Sequence, residues 1–313
     1  MEQASLTKKD LIPHLGSRSR VSEILAGKRD LTLGMIRALN AHLGIPAEAI
    51  RWLVARVGGF KAVPQFALRI SETPRLNANF DRHALLGWIL QALREGMESG
   101  VPARFDPRIL TDKFVATLVS LSVTNDSPRQ ARSCLAQAGI SLIAVPHLRR
   151  TYLDGAVFLL DKNRPIIALS LRYDRLDNFW FVLLHELAHL ARGHLSGANP
   201  WIVDDLDLPH HDSEQEVEAD RYAARALLPE DFDLDQRESI SAAAVTQYAR
   251  ERGIHPAIVA RRIRHARKNY RILTSLIGNG AVRQGNHAGT SLQFRAYCSR
   301  RGRARYSSAV RPV

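Results

Sequence analysis

The stretch that decides the fold is LLHELAHL, residues 183–190, within an apolar segment that covers residues 178–192. Its centre has the pattern His185-Glu186-x-x-His189. On a helix, histidines four residues apart project from one face and can hold one metal ion between them, and the intervening glutamate lies beside them. The pattern therefore predicts a helix that carries a metal site of the kind found in zinc hydrolases.

Such a site has a defined chemistry. A tetrahedral zinc ion with three protein ligands keeps its fourth position for water and lowers the pKa of that water. The glutamate can then remove a proton, which makes Glu186 the predicted catalytic base and His185 and His189 two predicted metal ligands. The alternative is a buried helix that carries two histidines by chance, and it stands until a third ligand is found.

The composition limits which residues could complete the site. Of the 313 residues, 45% are apolar and 24% are charged, as in ordinary globular proteins. Cys134 and Cys298 are the only cysteines, so any metal must be held by histidine and carboxylate. The chain has neither a long uninterrupted apolar stretch nor a basic, then apolar, N-terminal leader. We expect a cytoplasmic protein that makes no membrane contact.

The charge is distributed unevenly along the chain. The net charge is +13, yet no acidic residue follows Glu251. The basic excess therefore belongs to a C-terminal helix and to the Gly-, Ser- and Arg-rich residues 284–313, which we expect to form a disordered tail. This charge predicts either nucleic-acid binding or a merely solvated surface. The abrupt change of composition is also consistent with translation in a shifted reading frame.

The third ligand can be sought by position. The three-histidine metzincin pattern requires glycine at 192 and histidine at 195, where this chain has Arg192 and Leu195. Gly193 and His194 are out of that register, so we expect His194 to be a surface or helix-end residue. Two further histidines in a Pro- and Asp-rich loop are expected to be merely exposed, His210 and His211.

A second helix, over residues 214–229, offers better candidates. Glu216 and Asp220 are one turn apart and share a face, so Glu216 could bind the metal while Asp220 accepts a hydrogen bond from the outer nitrogen of a ligating histidine. Glu218 points about 200° away from Glu216, so only one of the two can face the metal. We predict Glu216 as the third ligand. The alternative is that these carboxylates form the solvated side of a helix.

Three strands are predicted before the histidine-bearing helix, over residues 141–145, 156–160 and 166–171. The last two are separated by a turn and should form a hairpin. A small antiparallel sheet that leads directly into the helix indicates an α+β fold. We expect residues 166–171 to be an edge strand on which an extended peptide could lie.

The first fifty residues have the pattern of short helices separated by turns. One should end near Gly16, a second should be capped by Ser17, and a third should run from Thr32 to Gly44. This layout is typical of a helix-turn-helix DNA reader, although a small helical docking module would look the same. In a DNA reader, the start of the second helix contacts bases, and phosphates could be met by Lys28 and Arg29.

Two parts of the chain resemble known families. DNFWFVLLHELAHLARGH (177–194) and EVEADRYAARALLP (216–229) are similar to the ImmA/IrrE metallopeptidases. That resemblance implies a zincin-like fold and one Zn²⁺ ion held by His185, His189 and Glu216, with Glu186 as general base. It also implies cleavage of transcriptional repressors of the XRE class, which switches on stress or mobile-element genes.

The other resemblance concerns the segment LTKKDLIPHLGSRSRVSEILAGKRDLTLGMIRALNAHLGIPAEAI (6–50). It is similar to the helix-turn-helix domain of HigA-type antitoxins, in the lambda-repressor-like (XRE) class. Members of that class have a further helix before this point, so we expect the first helix to be missing here. The resemblance implies that the DNA-facing positions are Lys8, Ser17, Arg18, Ser19 and Arg20.

These observations predict four regions: a helix-turn-helix domain (1–55), a connector (56–104), a metallopeptidase domain (105–283) and the basic tail (284–313). The leading hypothesis is a zinc endopeptidase that cleaves a regulatory protein in stress or toxin–antitoxin control. The rival is a DNA-binding repressor or antitoxin whose metal domain is a sensor or binds a partner. A third is a decayed gene product. The residue that stabilises the oxyanion stays open among Tyr173, Tyr222 and a histidine.

Overall fold

The structure is a computed structural model. It describes residues 11–25, 35, 38, 82–101, 103–148, 150–160, 163–195, 201–204, 214–228, 232 and 240–286. Most of the expected connector and nearly all of the expected tail lie outside these residues.

The described elements are helices and one small sheet. The helices are α1 (Ile12–Leu15), α2 (Arg18–Leu25), α3 (Arg82–Glu98), α4 (Asp112–Ser120), α5 (Ser127–Gln137), α6 (Leu176–Ala191), α7 (Glu214–Leu227), α8 (Ala242–Arg252), α9 (Pro256–Ala266) and α10 (Ala281–Asn286). The strands are β1 (Ser141–Ala144), β2 (Gly155–Leu159), β3 (Pro165–Leu169) and β4 (Trp201–Asp204). Short 3-10 turns cover Pro107–Ile109 and Leu121–Val123.

The four strands form a mixed sheet with the order β1-β3-β2-β4. The predicted α+β class and the β2–β3 hairpin are confirmed. The prediction of an antiparallel sheet is wrong in one respect, because β1 pairs with β3 in parallel. The prediction that residues 166–171 form an edge strand is also wrong, because β3 is hydrogen-bonded on both sides. The strand β4 was not predicted; it pairs antiparallel with β2.

The sheet separates two apolar layers, as the two-residue period of a strand requires. On one face, Val157 and Ile167 pack in the main core with the helix α6. On the other face, Phe158 and Ile166 pack against α3, where Trp88 is fully buried. Since both faces are covered, the strands are apolar at almost every position. This arrangement places α6 directly beneath the sheet.

The helix α6 is fixed at its start by a buried ion pair. The carboxylate of Asp177, in the first turn, accepts hydrogen bonds from the guanidinium of Arg175 at 2.8 Å and from that of Arg264 on α9 at 3.4 Å. The side chains of Asp177 and Arg264 are 1% and 4% exposed. An acidic residue is favourable at a helix start, and here it also joins α6 to α9.

The N-terminal helices α1 and α2 follow the predicted layout as far as the structure describes it. Gly16 separates them with a φ of 103°, and the Ser17 hydroxyl accepts a hydrogen bond from the backbone N–H of Arg20 at 3.3 Å. A small apolar cluster includes Leu11, Leu15 and Val21. The predicted third helix lies almost entirely outside the described residues. Among the helices described, none has the length and apolar character needed to cross a membrane.

Candidate metal centre

The helix α6 delivers three functional side chains into the interior of the protein. His185, Glu186 and His189 are all completely buried. The helix is apolar around most of its circumference because it packs against the sheet on one side and against α7 and α9 on the other. Burying polar side chains in such a place costs free energy unless they are hydrogen-bonded, paired with an opposite charge or bound to a metal. Their burial is also what a buried helix with two chance histidines would show, so the choice between the two depends on whether a third ligand lies beside them.

The predicted third ligand meets the two histidines. His185, His189 and Glu216 each offer one ligand atom, and these atoms lie within 4.8 Å of one another. The Nε2 atoms of the two histidines are 3.2 Å apart. Oxygens of Glu216 lie 3.1 Å from Nε2 of His185 and 3.8 Å from Nε2 of His189. The structure thus brings together two helices that are separated by 22 residues in the sequence.

These residues fit a single zinc ion. Two imidazoles and one carboxylate are a donor set that catalytic zinc sites use. With metal–ligand distances of about 2.1 Å, the ligand atoms of a tetrahedral ion lie about 3.4 Å from one another. In this site the two histidine Nε2 atoms are 3.2 Å apart. Oε2 of Glu216 lies 3.1 Å from Nε2 of His185, and Oε1 lies 3.8 Å from Nε2 of His189, so all three distances are close to that value. The side chain of Glu216 is 13% exposed, so the carboxylate lies on the solvent side of the group.

Asp220 takes the position that the sequence predicted. Its Oδ1 lies 2.9 Å from Nδ1 of His185, the ring nitrogen that faces away from the metal group. An ionised carboxylate can only accept, so Nδ1–H donates and Nε2 keeps its lone pair for a metal. Glu216 and Asp220 therefore act on the same histidine from one face of α7.

Glu186 lies against the sheet at the start of β2. A Cβ atom built at Gly155 would clash with Oε1 of Glu186, and it would come within 2.9 Å of the carboxylate carbon. Only glycine leaves room for this carboxylate, because every other residue carries a Cβ atom. The strand therefore supplies a cradle for the predicted base, a feature that the motif alone does not reveal.

Burial keeps His189 neutral. It lowers the pKa of His189 to about 3, while Glu216 acts in the opposite direction. A neutral imidazole is the form that binds a metal. At ordinary pH the metal therefore does not have to displace the extra proton of a charged His189 ring. The electrostatic setting thus favours metal binding.

Two further residues join the site that sequence reasoning did not assign to it. His194 was expected at the surface or at a helix end. It follows the end of α6, as the helix-end alternative predicted, but its side chain is only 6% exposed and does not lie on the open surface. Its Nδ1 lies 2.9 Å from Nδ1 of His189, and its Nε2 lies 3.1 Å from a carboxylate oxygen of Glu218. Glu218 does point away from the metal group, as predicted, but it reaches His189 through this histidine.

Other predicted residues lie elsewhere. Tyr222 lies beneath the guanidinium of Arg192, and Tyr173 is stacked by Arg172 and Arg175. The positions expected to read DNA are exposed where they are described: Ser17 directly precedes α2, and Arg18, Ser19 and Arg20 form its first turn. Outside the described residues lie Lys8, Lys28, Arg29, His210 and His211.

Comparison with known proteins gives one match. No curated protein and no solved structure matches the chain. A family model does match, over residues 144–264, and it describes the IrrE N-terminal-like domain of the Peptidase_M78 family. The matched range holds His185, His189 and Glu216, which could hold a metal ion, together with the buried Glu186. The segment from 144 to 264, with a buried His₂Glu group at its centre, is thus similar to the IrrE N-terminal-like domain of a metallopeptidase family.

Proposed function

We propose that this protein is a zinc-dependent endopeptidase that cleaves a regulatory protein, such as a transcriptional repressor of the XRE class. The observation that carries the proposal is the convergence of His185, His189 and Glu216 beside a buried glutamate. The match to a metallopeptidase family over the same residues supports it. The choice of a repressor as substrate rests on the resemblance to ImmA/IrrE proteins.

The chain's own groups have separable roles in amide hydrolysis. A zinc ion held by the three ligands would supply a Lewis acid that polarises the scissile carbonyl and acidifies water. Glu186 would take the proton from the attacking water and return it to the leaving nitrogen. Asp220 holds His185 in one orientation. Gly155 allows the carboxylate of Glu186 to lie against the strand β2.

The sheet suggests how a peptide would be held. In the part of the chain that the structure describes, β1 and β4 are the edge strands. Of these, β4 pairs with β2, and its Asp204 lies opposite Gly155, the residue in contact with Glu186. An extended peptide that pairs with β4 would read backbone rather than side chains. Such pairing would bring substrate to the side of the sheet where the base lies.

The test combines metal content with cleavage. Wild type should contain about one zinc per chain and should cleave purified XRE-type repressors or members of a quenched fluorogenic peptide library. Glu186→Gln should keep the zinc and lose cleavage, because the amide cannot accept the proton. Equal cleavage by Glu186→Gln and wild type would reject the proposed mechanism.

A second function is supported by the exposed residues of α2. Ser17, Arg18, Ser19 and Arg20 lie at the start of a helix that follows a glycine turn, as in a DNA-reading helix. On this proposal the protein is a DNA-binding repressor or antitoxin, and the metal domain senses a signal or binds a partner. A gel shift with the protein's own upstream DNA tests it, since a lack of binding even at low salt would reject it.

A further inference from the structure

The outer nitrogen of His189 has an unusual neighbour. His185 is backed directly by a carboxylate, Asp220, but Nδ1 of His189 faces a second imidazole, that of His194, at 2.9 Å. His194 in turn faces Glu218 at 3.1 Å. These contacts connect Glu218 on α7 to the metal group. The two imidazole rings in the middle, those of His189 and His194, are almost completely buried.

The turn after α6 explains how His194 reaches His189. Gly193 has a φ of 70°, in the left-handed region that glycine adopts readily. The backbone N–H of His194 donates to the carbonyl of His189 at 3.0 Å, which is the long hydrogen bond of a Schellman motif. This turn folds the chain back over the last turn of the helix. The position of His194 is therefore set by backbone geometry.

With both rings neutral, these contacts determine where the ring protons lie. An ionised carboxylate can only accept, so Nε2–H of His194 donates to Glu218. In a neutral imidazole the other nitrogen is then an acceptor, and Nδ1 of His194 must accept from Nδ1–H of His189. The proton of His189 thus lies on the nitrogen that faces away from the metal group. Its Nε2 presents a lone pair toward Glu216 and His185.

Without this pair, His189 would have a competing arrangement. Its Nε2 lies 3.8 Å from Oε1 of Glu216, so a proton on Nε2 could be directed at that carboxylate. This alternative tautomer cannot bind a metal until the proton moves to the other nitrogen. Nδ1 of His194, as an acceptor for Nδ1–H of His189, favours the tautomer whose Nε2 is free of a proton.

We propose that His194 and Glu218 act as a positioning pair that holds His189 in the tautomer and orientation that a metal requires. The inference rests on the proposed metal site and extends it to two residues that do not bind the ion. A carboxylate of α7 then orients each of the two histidines. Asp220 contacts His185 directly, and Glu218 acts on His189 through His194. Arg192, whose Nε lies 3.4 Å from Glu218, helps to hold that carboxylate.

The first test uses the metal-free protein. In wild type, long-range ¹H–¹⁵N correlation spectra of the histidine rings should show the proton of His189 on Nδ1. His194→Phe keeps a ring of similar size but removes both nitrogens, and the proton should move to Nε2. A merely structural role would not change the tautomer. A proton that stays on Nδ1 in His194→Phe would overturn the proposal.

The second test is zinc affinity, measured by competition with a chromophoric chelator. Loss of a group that orients a ligating histidine weakens metal binding by about 10–100-fold. We expect such a loss in His194→Phe and a smaller loss in Glu218→Leu. Glu218→Gln keeps an oxygen that accepts from His194, so it should restore most of the affinity. Unchanged affinity in both His194→Phe and Glu218→Leu would overturn the proposal.

The variants are chosen so that a folding failure does not decide the result. The side chain of Glu218 is 48% exposed, so Glu218→Leu keeps the test valid if His194→Phe does not fold. Glu214→Leu changes an exposed glutamate on the same helix and serves as the matched control, with unchanged affinity. If wild type itself binds no zinc, the proposed function fails, whereas the ring spectra still test the positioning pair.

Discussion

The sharpest prediction concerns a single methyl group at Gly155. In Gly155→Ala, the new Cβ would clash with Oε1 of Glu186 and approach Cγ1 of Val182 to 2.8 Å and Cδ of Glu186 to 2.9 Å. Ordinary contacts of this kind are 3.4–4 Å. The carboxylate must therefore move by about 0.5 Å or more, and overpacking of this kind costs about 1–3 kcal/mol of unfolding free energy.

The displacement should affect catalysis more than metal binding. A misplacement of about 1 Å in a reacting group can lower the rate about 100-fold. The three atoms nearest to the new methyl group belong to Glu186 and Val182 rather than to the candidate ligands, so the zinc content should stay near wild type. The assay is cleavage of a quenched peptide library, measured beside zinc content and urea unfolding of the same preparation.

Gly87→Ala is the matched control for this variant. Gly87 lies in α3, and a Cβ atom there would meet nothing within 4 Å. Alanine in a helix is favoured over glycine by about 1 kcal/mol, so this change should be neutral or slightly stabilising and should leave cleavage intact. If Gly155→Ala keeps wild-type cleavage and stability, the contact between β2 and Glu186 does not have the role assigned to it.

Four further outcomes are expected. Asp220→Ala should weaken zinc binding about 10–100-fold in the chelator assay, and an unchanged affinity would show that Asp220 does not orient His185. Asp177→Ala should cost about 3–5 kcal/mol in urea unfolding because it leaves Arg264 buried without its carboxylate, and a cost below about 1 kcal/mol would contradict this. In the metal-free protein, the pKa of His189 is lowered to about 3, below its unfolded value of about 6.5. Unfolding then takes up a proton at His189 between these pH values, so this residue should lower stability by about 1.4 kcal/mol per unit as the pH is lowered through this range. The pH dependence of His189→Phe should be smaller by that amount but should not vanish, because burial also lowers the pKa of His147, His255 and His265. If the protein binds DNA, Arg18→Ala with Arg20→Ala should abolish the gel shift and leave zinc content unchanged.

The sequence predicted the core of the site because its pattern is local. His185, Glu186 and His189 lie on one helix, and their mutual position follows from helix geometry alone. Glu216 and Asp220 could be paired for the same reason, since they are one turn apart on α7. Helix geometry alone could not predict that they meet the histidines of α6. That prediction came from the chemistry of zinc, which needs a third ligand and a group to orient the histidines.

His194 was missed because its position was compared with a three-histidine pattern. The informative signal was Gly193, which directly follows the helix. A glycine at that place predicts a Schellman turn, and such a turn brings the next residue back over the last helical turn. The phase of the helix predicted that Glu218 points away from the metal. It could not show that the turn after α6 brings His194 into contact with that carboxylate.

The order of the strands could not be obtained from local patterns. The structure shows β3 in the centre, and all five of its residues are buried. A continuous apolar run of this kind is typical of a strand covered on both sides, which favours a central position over an edge. The parallel pairing of β1 with β3 depends on contacts between distant parts of the chain. The pairing of β4 with β2 likewise joins parts of the chain that are distant in sequence.

The most direct test of the central claim is zinc analysis of three purified proteins: wild type, His185→Ala and Glu216→Ala. Zinc bound by four protein ligands contributes about 10–16 kcal/mol in structural sites, so losing one ligand should weaken binding at least about 100-fold. We expect about one zinc per chain in wild type and none after dialysis in either variant. If His185→Ala loses the metal but Glu216→Ala retains it, the carboxylate on α7 is not the third ligand.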